Sequence, residues 1–396
     1  MIPVTQAQNL IKSHSFKAGV ETVPIAMASG RVLAEDILAD RDAPPFDRVT
    51  MDGIAIRSSE LGPGKSFLVE GIQAAGQPQQ TIQDPAHCME VMTGAVLPAG
   101  ADCVIPYEQV EIDNGIASPI LEEVLPFANV HRQGSDAGRG DTLLPVGTLL
   151  HAGHIGLMAS VGISKVCVVR LPRVVVCATG DELVPIDSTP QPHQIRNSNS
   201  SMLLGALQSL GVSADSVHLP DDRDLLVDSL DQLKDRYEVL LFSGSVSKGR
   251  FDYLPEVLQS LGMERKIHGV AQRPGKPFLF GTFQDSVVFG FPGNPASTLV
   301  CFHAFFTPWF RANQGIEQSP VEAELNSTIT FPKPLTYHLL VNVSKENNRM
   351  VATPVQNSGS GDLIHLALAD GFISLPPERG RFEKGESFQL TVWRPI

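Results

Sequence analysis

Apolar and polar residues alternate along the chain in several distinct rhythms. Residues 1–40 predict a helix from Thr5 to Lys12, a short extended piece through Val23 to Ile25, and a second helix around Ala28 to Leu33. The run DAPPFDRVTMDG, at 42–53, ends that pattern with two adjacent prolines and a DG turn. From there to about residue 145 the apolar runs are short. IAIRS, SFLVEGI, CMEVM and DCVIPYE are each bounded by Gly, Pro or Asn, which predicts an all-β insertion. GTLLHAGHIGLMASVGI, at 147–163, returns to a strand followed by a helix, so the segments flanking the insertion are expected to belong together.

A different rhythm begins at Arg173. VVVCATG, SADSVHL, VLLFSG and VVFGFPG read as strands. They alternate with helices over SNSSMLLGALQSLG, DRDLLVDSLDQLKDR, YLPEVLQSLG and NPASTLVCFHAFFTPW. Near-continuous apolar strands between amphipathic helices predict a doubly wound, parallel α/β domain. Past about Pro320 short strands return (LTYHLLVNV, MVATPV, GFISLP, SFQLTVW), as in a small β-barrel or sandwich.

Composition narrows the function classes. The 396 residues carry a formal charge of −13, which disfavours nucleic acid and anionic membranes as partners. No apolar run is long enough for a membrane span, and the N-terminus lacks the pattern of a signal peptide. The five cysteines, Cys88, Cys103, Cys167, Cys177 and Cys301, are scattered and form no CxxC pair. Reduced, mostly buried thiols in a cytoplasmic protein are the expectation.

In a doubly wound sheet ligands bind beyond the carboxyl ends of the strands. Three strands here end in loops suited to that: Thr179-Gly180-Asp181-Glu182, Ser243-Gly244-Ser245-Val246-Ser247-Lys248-Gly249, and Gly290-Phe291-Pro292-Gly293-Asn294-Pro295. Glycines allow close backbone approach, hydroxyls and amides donate, and the helix starts that follow favour anions. The expected ligand is phosphorylated or otherwise anionic. It is not held by a familiar nucleotide motif, since neither GxxxxGK[ST] nor GxGxxG after the first strand is present. Glu182, Asp221 with Asp222, and Asp252 fall on the same loops. Carboxylates beside an anion repel it unless a divalent cation bridges them, which argues for a magnesium-type metal on Glu182, Asp221 and Asp252. The Asp221–Asp222 pair equally suits the start of a helix. In RPGKP, at 273–277, Arg273 and Lys276 sit on a rigid turn able to hold an oxyanion, or form a plain surface turn. His151 and His154 form an HxxH pair with no third ligand nearby and read as structural.

PPFDRVTMDGIAIR, VMTGAVLPAGAD, ATGDELV, IRNSNSSML, SGSVSKGRFDY, RPGKPFLFG and GFPGNPAS occur in this order. The chain thereby resembles the molybdopterin molybdenumtransferase family of molybdenum cofactor synthesis, to which the C-terminal domain of gephyrin is related. The resemblance implies a multidomain α/β and β protein. Its parts would be a helical linker domain from 1–42 and 145–170, an inserted β domain at 43–144, a central doubly wound α/β molybdopterin-binding domain at 171–318, and a C-terminal β-barrel at 319–396. It also implies an elongated homodimer in which the inserted domain of one subunit closes over the α/β pocket of the other. The implied reaction hydrolyses adenylylated molybdopterin and inserts molybdate into its dithiolene, releasing AMP, with Mg2+ present and other proteins of cofactor synthesis as partners.

Carried over by motif, the catalytic set is Asp52, Glu182, Asp221 and Asp252. Asp52 and Thr93 would lie on the partner subunit's lip of the site. Glu182, Asp221, Ser247 and Asp252 would surround the pterin phosphate and metal, and Arg273, Lys276, Pro292 and Pro295 would form the molybdate side. Thr179, Gly180, Ser243, Gly244 and Asn294 would also bind substrate. Asp136, in RQGSD, and Ser360, in NSGSGD, match more loosely. Three positions depart from the family pattern. Ser245 replaces a glycine, Lys248 replaces a small or apolar residue, and an arginine of the C-terminal domain has no counterpart at 335–343. Two other readings of the same fold are an adenylyltransferase that activates molybdopterin and a scaffold without chemistry. Retention of Asp52, Glu182, Asp221 and Asp252 together speaks against the scaffold.

Overall fold

The structure, a computed structural model, describes residues 1–394 apart from 17, 247–252, 318 and 357. The chain divides into two compact units, one of residues 1–22, 30–32 and 167–396, the other of 23–29 and 33–166.

At the centre of the first unit is a six-stranded sheet. Ala214–Leu219, Val174–Thr179, Val239–Ser243 and Val287–Phe291 lie side by side in that order and are all parallel. Strand residues alternate between two cores, which is what winding on both faces requires. Val174, Val176, Val239, Leu241 and Phe289 face the helix Ser198–Ser209 and the C-terminal helical run. Val175, Cys177, Leu240, Phe242 and Val288 face Arg223–Arg236 and Leu254–Ser260. The sheet is not wholly parallel as expected from sequence. Leu279–Thr282 and Glu264–His268 extend it with antiparallel pairings, and Glu264, Arg265 and Lys266 leave the edge strand without an apolar run.

The helix predicted over NPASTLVCFHAFFTPW is three pieces: Pro295–Cys301, a π-helical turn Phe302–Phe306, and Thr307–Asn313. Pro308 has no N–H to give the carbonyl of Ala304, which explains the widened turn. A buried carbonyl left unpaired would cost about 1–3 kcal/mol. Gln8 Nε2, from the helix Val4–Lys12, donates to it at 3.1 Å. That N-terminal helix buries Val4, Ala7 and Ile11 in the same core as Phe305 and Trp309.

The C-terminal strands close into a five-stranded barrel. Thr336–Glu346, Arg349–Pro354, Val321–Leu325, Ser387–Val392 and Gly371–Leu375 pair in turn, and the last pairs back on the first. Closure leaves no free edge. Leu325, Val341, Ala352, Ile373 and Leu390 fill the interior.

The second unit is built on another six-stranded sheet, with Gly53–Ile56 and His87–Val91 among its inner strands. Its outer hairpin turns at Asn114-Gly115, both with positive φ, as a tight two-residue turn demands. The second N-terminal helix expected around Ala28 to Leu33 is absent. Ile25–Met27 make one 3₁₀ turn, and Gly30, at φ +79°, takes the chain out of helical geometry before a second turn forms.

Candidate functional site

In the second unit the MDG and MTG motifs meet. Asp52 Oδ1 accepts from the Thr93 N–H at 2.6 Å and from its hydroxyl at 2.8 Å. These two donors hold the Asp52 carboxyl below the usual carboxylate range, although it is fully exposed. The glycine of MDG has a packing reason. A Cβ on Gly53 would lie 2.0 Å from the Ile105 carbonyl oxygen across the ladder, so only glycine lets this strand start beside Asp52. Asp136 is engaged elsewhere in the unit, paired with His131 Nε2 at 2.8 Å. His151 caps the helix Ala152–Ser160 and stacks on His154, so the HxxH pair is the structural feature expected of it.

In the first unit the strand ends gather the second group of residues. Thr179 and Ser243 end neighbouring parallel strands and are buried. Asn199 Nδ2 bridges Ser243 Oγ (2.9 Å) and the Gly293 carbonyl (2.7 Å), tying two of the three ligand loops together. The Thr179 hydroxyl, the Asn199 amide oxygen and the Ser200 hydroxyl are buried without a partner among the described residues. Such groups are costly unless something else supplies the bond. Glu182 is exposed on the loop after Thr179. Asp221 accepts from Ser245 Oγ at 3.3 Å, and its N–H donates to Asp181. Burial, then the charge of Asp181 and more weakly that of Glu182, push the Asp221 carboxyl up. Asp222 caps the helix Arg223–Arg236. Of the adjacent aspartates, then, one opens a helix and the other faces the acidic loop. Ser245 adopts φ +48°, the left-handed backbone that the glycine it replaces would take freely. Ser247, Lys248 and Asp252 lie outside the described residues. Among the described residues no cluster of three or more His, Cys, Asp or Glu has the arrangement of a metal centre.

A third group lines a cleft of about 320 Å³ in the same unit. Arg273, Lys276, Pro292, Asn294 and Ser360 are on its wall. Asn294 Nδ2 donates to Ser360 Oγ at 2.7 Å, which links the sheet-edge loop to the loop after the barrel strand Arg349–Pro354. Asp362 accepts from Ser358 and from the His365 N–H, fixing the loop around Ser360. Pro295 is not on the wall; it is the first residue of the helix that follows. Sequence reasoning missed Gln272, Lys333, Tyr337 and His338, which also line the cleft. Lys333 stands two residues before the stretch searched for an arginine, and it is an exposed cation on the same wall. Among the described residues the cleft wall carries three cations and no Asp or Glu.

An α/β core with open strand ends, a closed barrel bordering a cationic cleft, and a separate β unit make this a multidomain ligand-binding architecture. Three family models cover nearly the whole chain: the MoeA N-terminal region (domain I and II) over 2–162, a probable molybdopterin binding domain over 175–312, and the MoeA C-terminal region (domain IV) over 322–393. The chain is 42% identical to the molybdopterin molybdenumtransferase of Synechocystis over 99% of its own length and 100% of that protein's. It is 32% identical to that of Bacillus subtilis over 99% and 94%. Among solved structures, a molybdopterin biosynthesis moeA protein from Pyrococcus horikoshii matches with a TM-score of 0.84, 30% identity and full coverage of both chains. The chain belongs to the molybdopterin molybdenumtransferase family.

Proposed function

We propose that this chain hydrolyses adenylylated molybdopterin and inserts molybdate into the dithiolene, with release of AMP. The observation that carries the reading is the cleft of Arg273, Lys276 and Lys333, with no acidic residue among the described residues of its wall, next to a loop edge rich in hydroxyls and amides. A dianionic tetrahedral oxyanion suits three convergent cations. The pterin phosphate suits the strand-end loops, where the buried Thr179 hydroxyl, Asn199 amide oxygen and Ser200 hydroxyl have no partner among the described residues.

Mg2+ fits the acidic side by donor type. Glu182 and Asp221 offer hard oxygen ligands, and Asp221 is destabilised by its own neighbours, a strain that a cation relieves. Glu182, Asp221 and Asp252 would hold it, and when bound it would neutralise charge on the substrate's phosphates. The chain's own residues supply the rest. Arg273, Lys276 and Lys333 bind the oxyanion, Ser360 and Asn294 orient it, and Asp52, fixed by Thr93, presents an ionised carboxylate.

Asp52 belongs in this reading to the site of a second copy, in a homodimer. Exposed Met27, Leu38, Val146 and Leu149 give the linker segments apolar surface that a partner would cover. Among the described residues no helix is long and apolar enough to cross a membrane, and five cysteines outside any disulfide suit a reducing cytoplasm. The test is AMP release from adenylylated molybdopterin with molybdate and Mg2+. Release that ignores molybdate would point to an adenylyltransferase-like enzyme. No turnover at all would leave the scaffold.

A further inference from the structure

We propose that Gln272 and His338 form a buried positioning relay that sets where the Arg273–Lys276 turn presents its cations, and so sets the cleft's affinity for its oxyanion. The inference rests on the reading of the cleft given above. Gln272 is 0% exposed and His338 2%. Both border the cleft from within the protein, one on the α/β side and one on the first barrel strand. The two chain segments are joined by a short parallel ladder, Gln272 opposite Thr336 and Arg273 opposite Tyr337.

One direction of donation satisfies the whole chain of groups. Ser374, opposite His338 in the barrel ladder, donates its hydroxyl to Nδ1 at 3.0 Å. His338 Nε2–H donates to Gln272 Oε1 at 3.3 Å, and Gln272 Nε2 donates to the Gly275 carbonyl at 3.2 Å. Burial pushes the histidine down to about 4, so near neutral pH the ring has one N–H and one lone pair, as the relay needs. The Phe372 ring packs edge-on against it, fixing its plane.

At the far end of the relay the turn has almost no room. A Cβ on Gly275 would lie 2.3 Å from Cys301 Sγ and 2.7 Å from Gln272 Nε2. Gly275 is thus seated directly on the glutamine amide, between the two residues whose cations reach the cleft. A buried polar pair gives little net stability over an apolar pair of the same size. What it gives is one orientation.

The test uses molybdate as the probe, with equilibrium dialysis against the full-length protein and thermal melting in parallel. Gln272→Met and His338→Phe should each lower the melting temperature and weaken molybdate retention about ten-fold. The double variant removes both ends of the Gln272–His338 bond at once, so that the Ser374 hydroxyl and the Gly275 carbonyl lose a partner. Its melting temperature should fall by less than the sum of the two single losses while its molybdate affinity stays weakened. That separation is what positioning predicts. A double variant that regains both, or single variants that fold and bind molybdate like the parent, would reduce the relay to packing. Lys276→Ala is the control. If it retains molybdate fully, the cleft reading itself has failed, whatever the relay variants do.

Discussion

The strand-end loops and the barrel-side cleft belong to one compact unit, yet they carry opposite charge. At the strand ends Asp181, Glu182 and Asp221 stand together, and the charges acting on Asp221 are both negative. In the cleft Arg273, Lys276 and Lys333 share a wall that has no carboxylate among the described residues. Like charges grouped on an exposed surface gain nothing from one another, so neither cluster adds to the stability of the chain. Most of these side chains stay exposed, where water keeps their repulsion small. In the proposed function the two regions therefore take different cargo: a cation and phosphate on one side, an oxyanion on the other.

The sharpest way to break this division is to neutralise each pole separately. Arg273→Ala with Lys276→Ala should weaken molybdate binding by about a hundred-fold, from the loss of two charge-assisted contacts. The same variant should bind adenylylated molybdopterin within a few-fold of the parent. Glu182→Gln with Asp221→Asn should do the reverse: molybdate retention persists, while Mg2+-dependent AMP release falls by two orders of magnitude or more. Excess chelator on the parent should mimic the acidic-side variant, and added Mg2+ should reverse it. If both pairs of substitutions damage the same step, the two regions are one site and the division is wrong.

A smaller effect tests whether the second unit completes the acidic side across a dimer. Asp52→Asn and Asp221→Asn should each be nearly inactive alone. Mixed and allowed to exchange at random, they should regain about a quarter of parental turnover, because half the dimers hold one intact composite site out of two. Sedimentation should show about twice 42.7 kDa for the parent. Mixtures as inactive as their components would place Asp52 and Asp221 in the same subunit's site or in none.

How far these two regions could be read from the chain differs in an instructive way. The strand ends were legible because the parallel strands announce themselves as apolar runs, and the glycines, hydroxyls and acids follow each run directly in sequence. Half of the cleft was legible for the same reason: Arg273, Lys276, Pro292 and Asn294 sit in short local motifs. Lys333 and His338 were not, because they reach the cleft only through closure of the barrel and the ladder between Gln272 and Thr336. No spacing in the sequence announces that residues 272 and 338 touch. Local misreadings had local causes. Around Ala28–Leu33 the apolar spacing matched a helix, but Gly30 is in the left-handed region. In the antiparallel edge strand, charged residues hid a strand behind a polar pattern.

The smallest effect is a stability effect, and its sign separates the poles again. Burial and Asp181 raise the Asp221 carboxyl above its ordinary value, so the folded chain holds that proton more tightly than the unfolded one. Below the ordinary aspartate range, about pH 4, both states are protonated and the group contributes nothing. As pH rises through the raised value the folded state must ionise Asp221 against its neighbours, and stability is lost. Asp221→Asn removes that penalty. Because the carboxyl is only partly buried, solvent screening keeps the gain small, about 1 °C in melting temperature near pH 7.5, fading to none by about pH 4. Mg2+ should narrow the gap by stabilising the parent and not the variant. Differential scanning calorimetry of parent and variant across that range measures it. A variant less stable than the parent near neutrality, or a gap that widens toward acid, would mean that Asp221 is held by a favourable partner and that the strand ends are not an unsatisfied acidic pole.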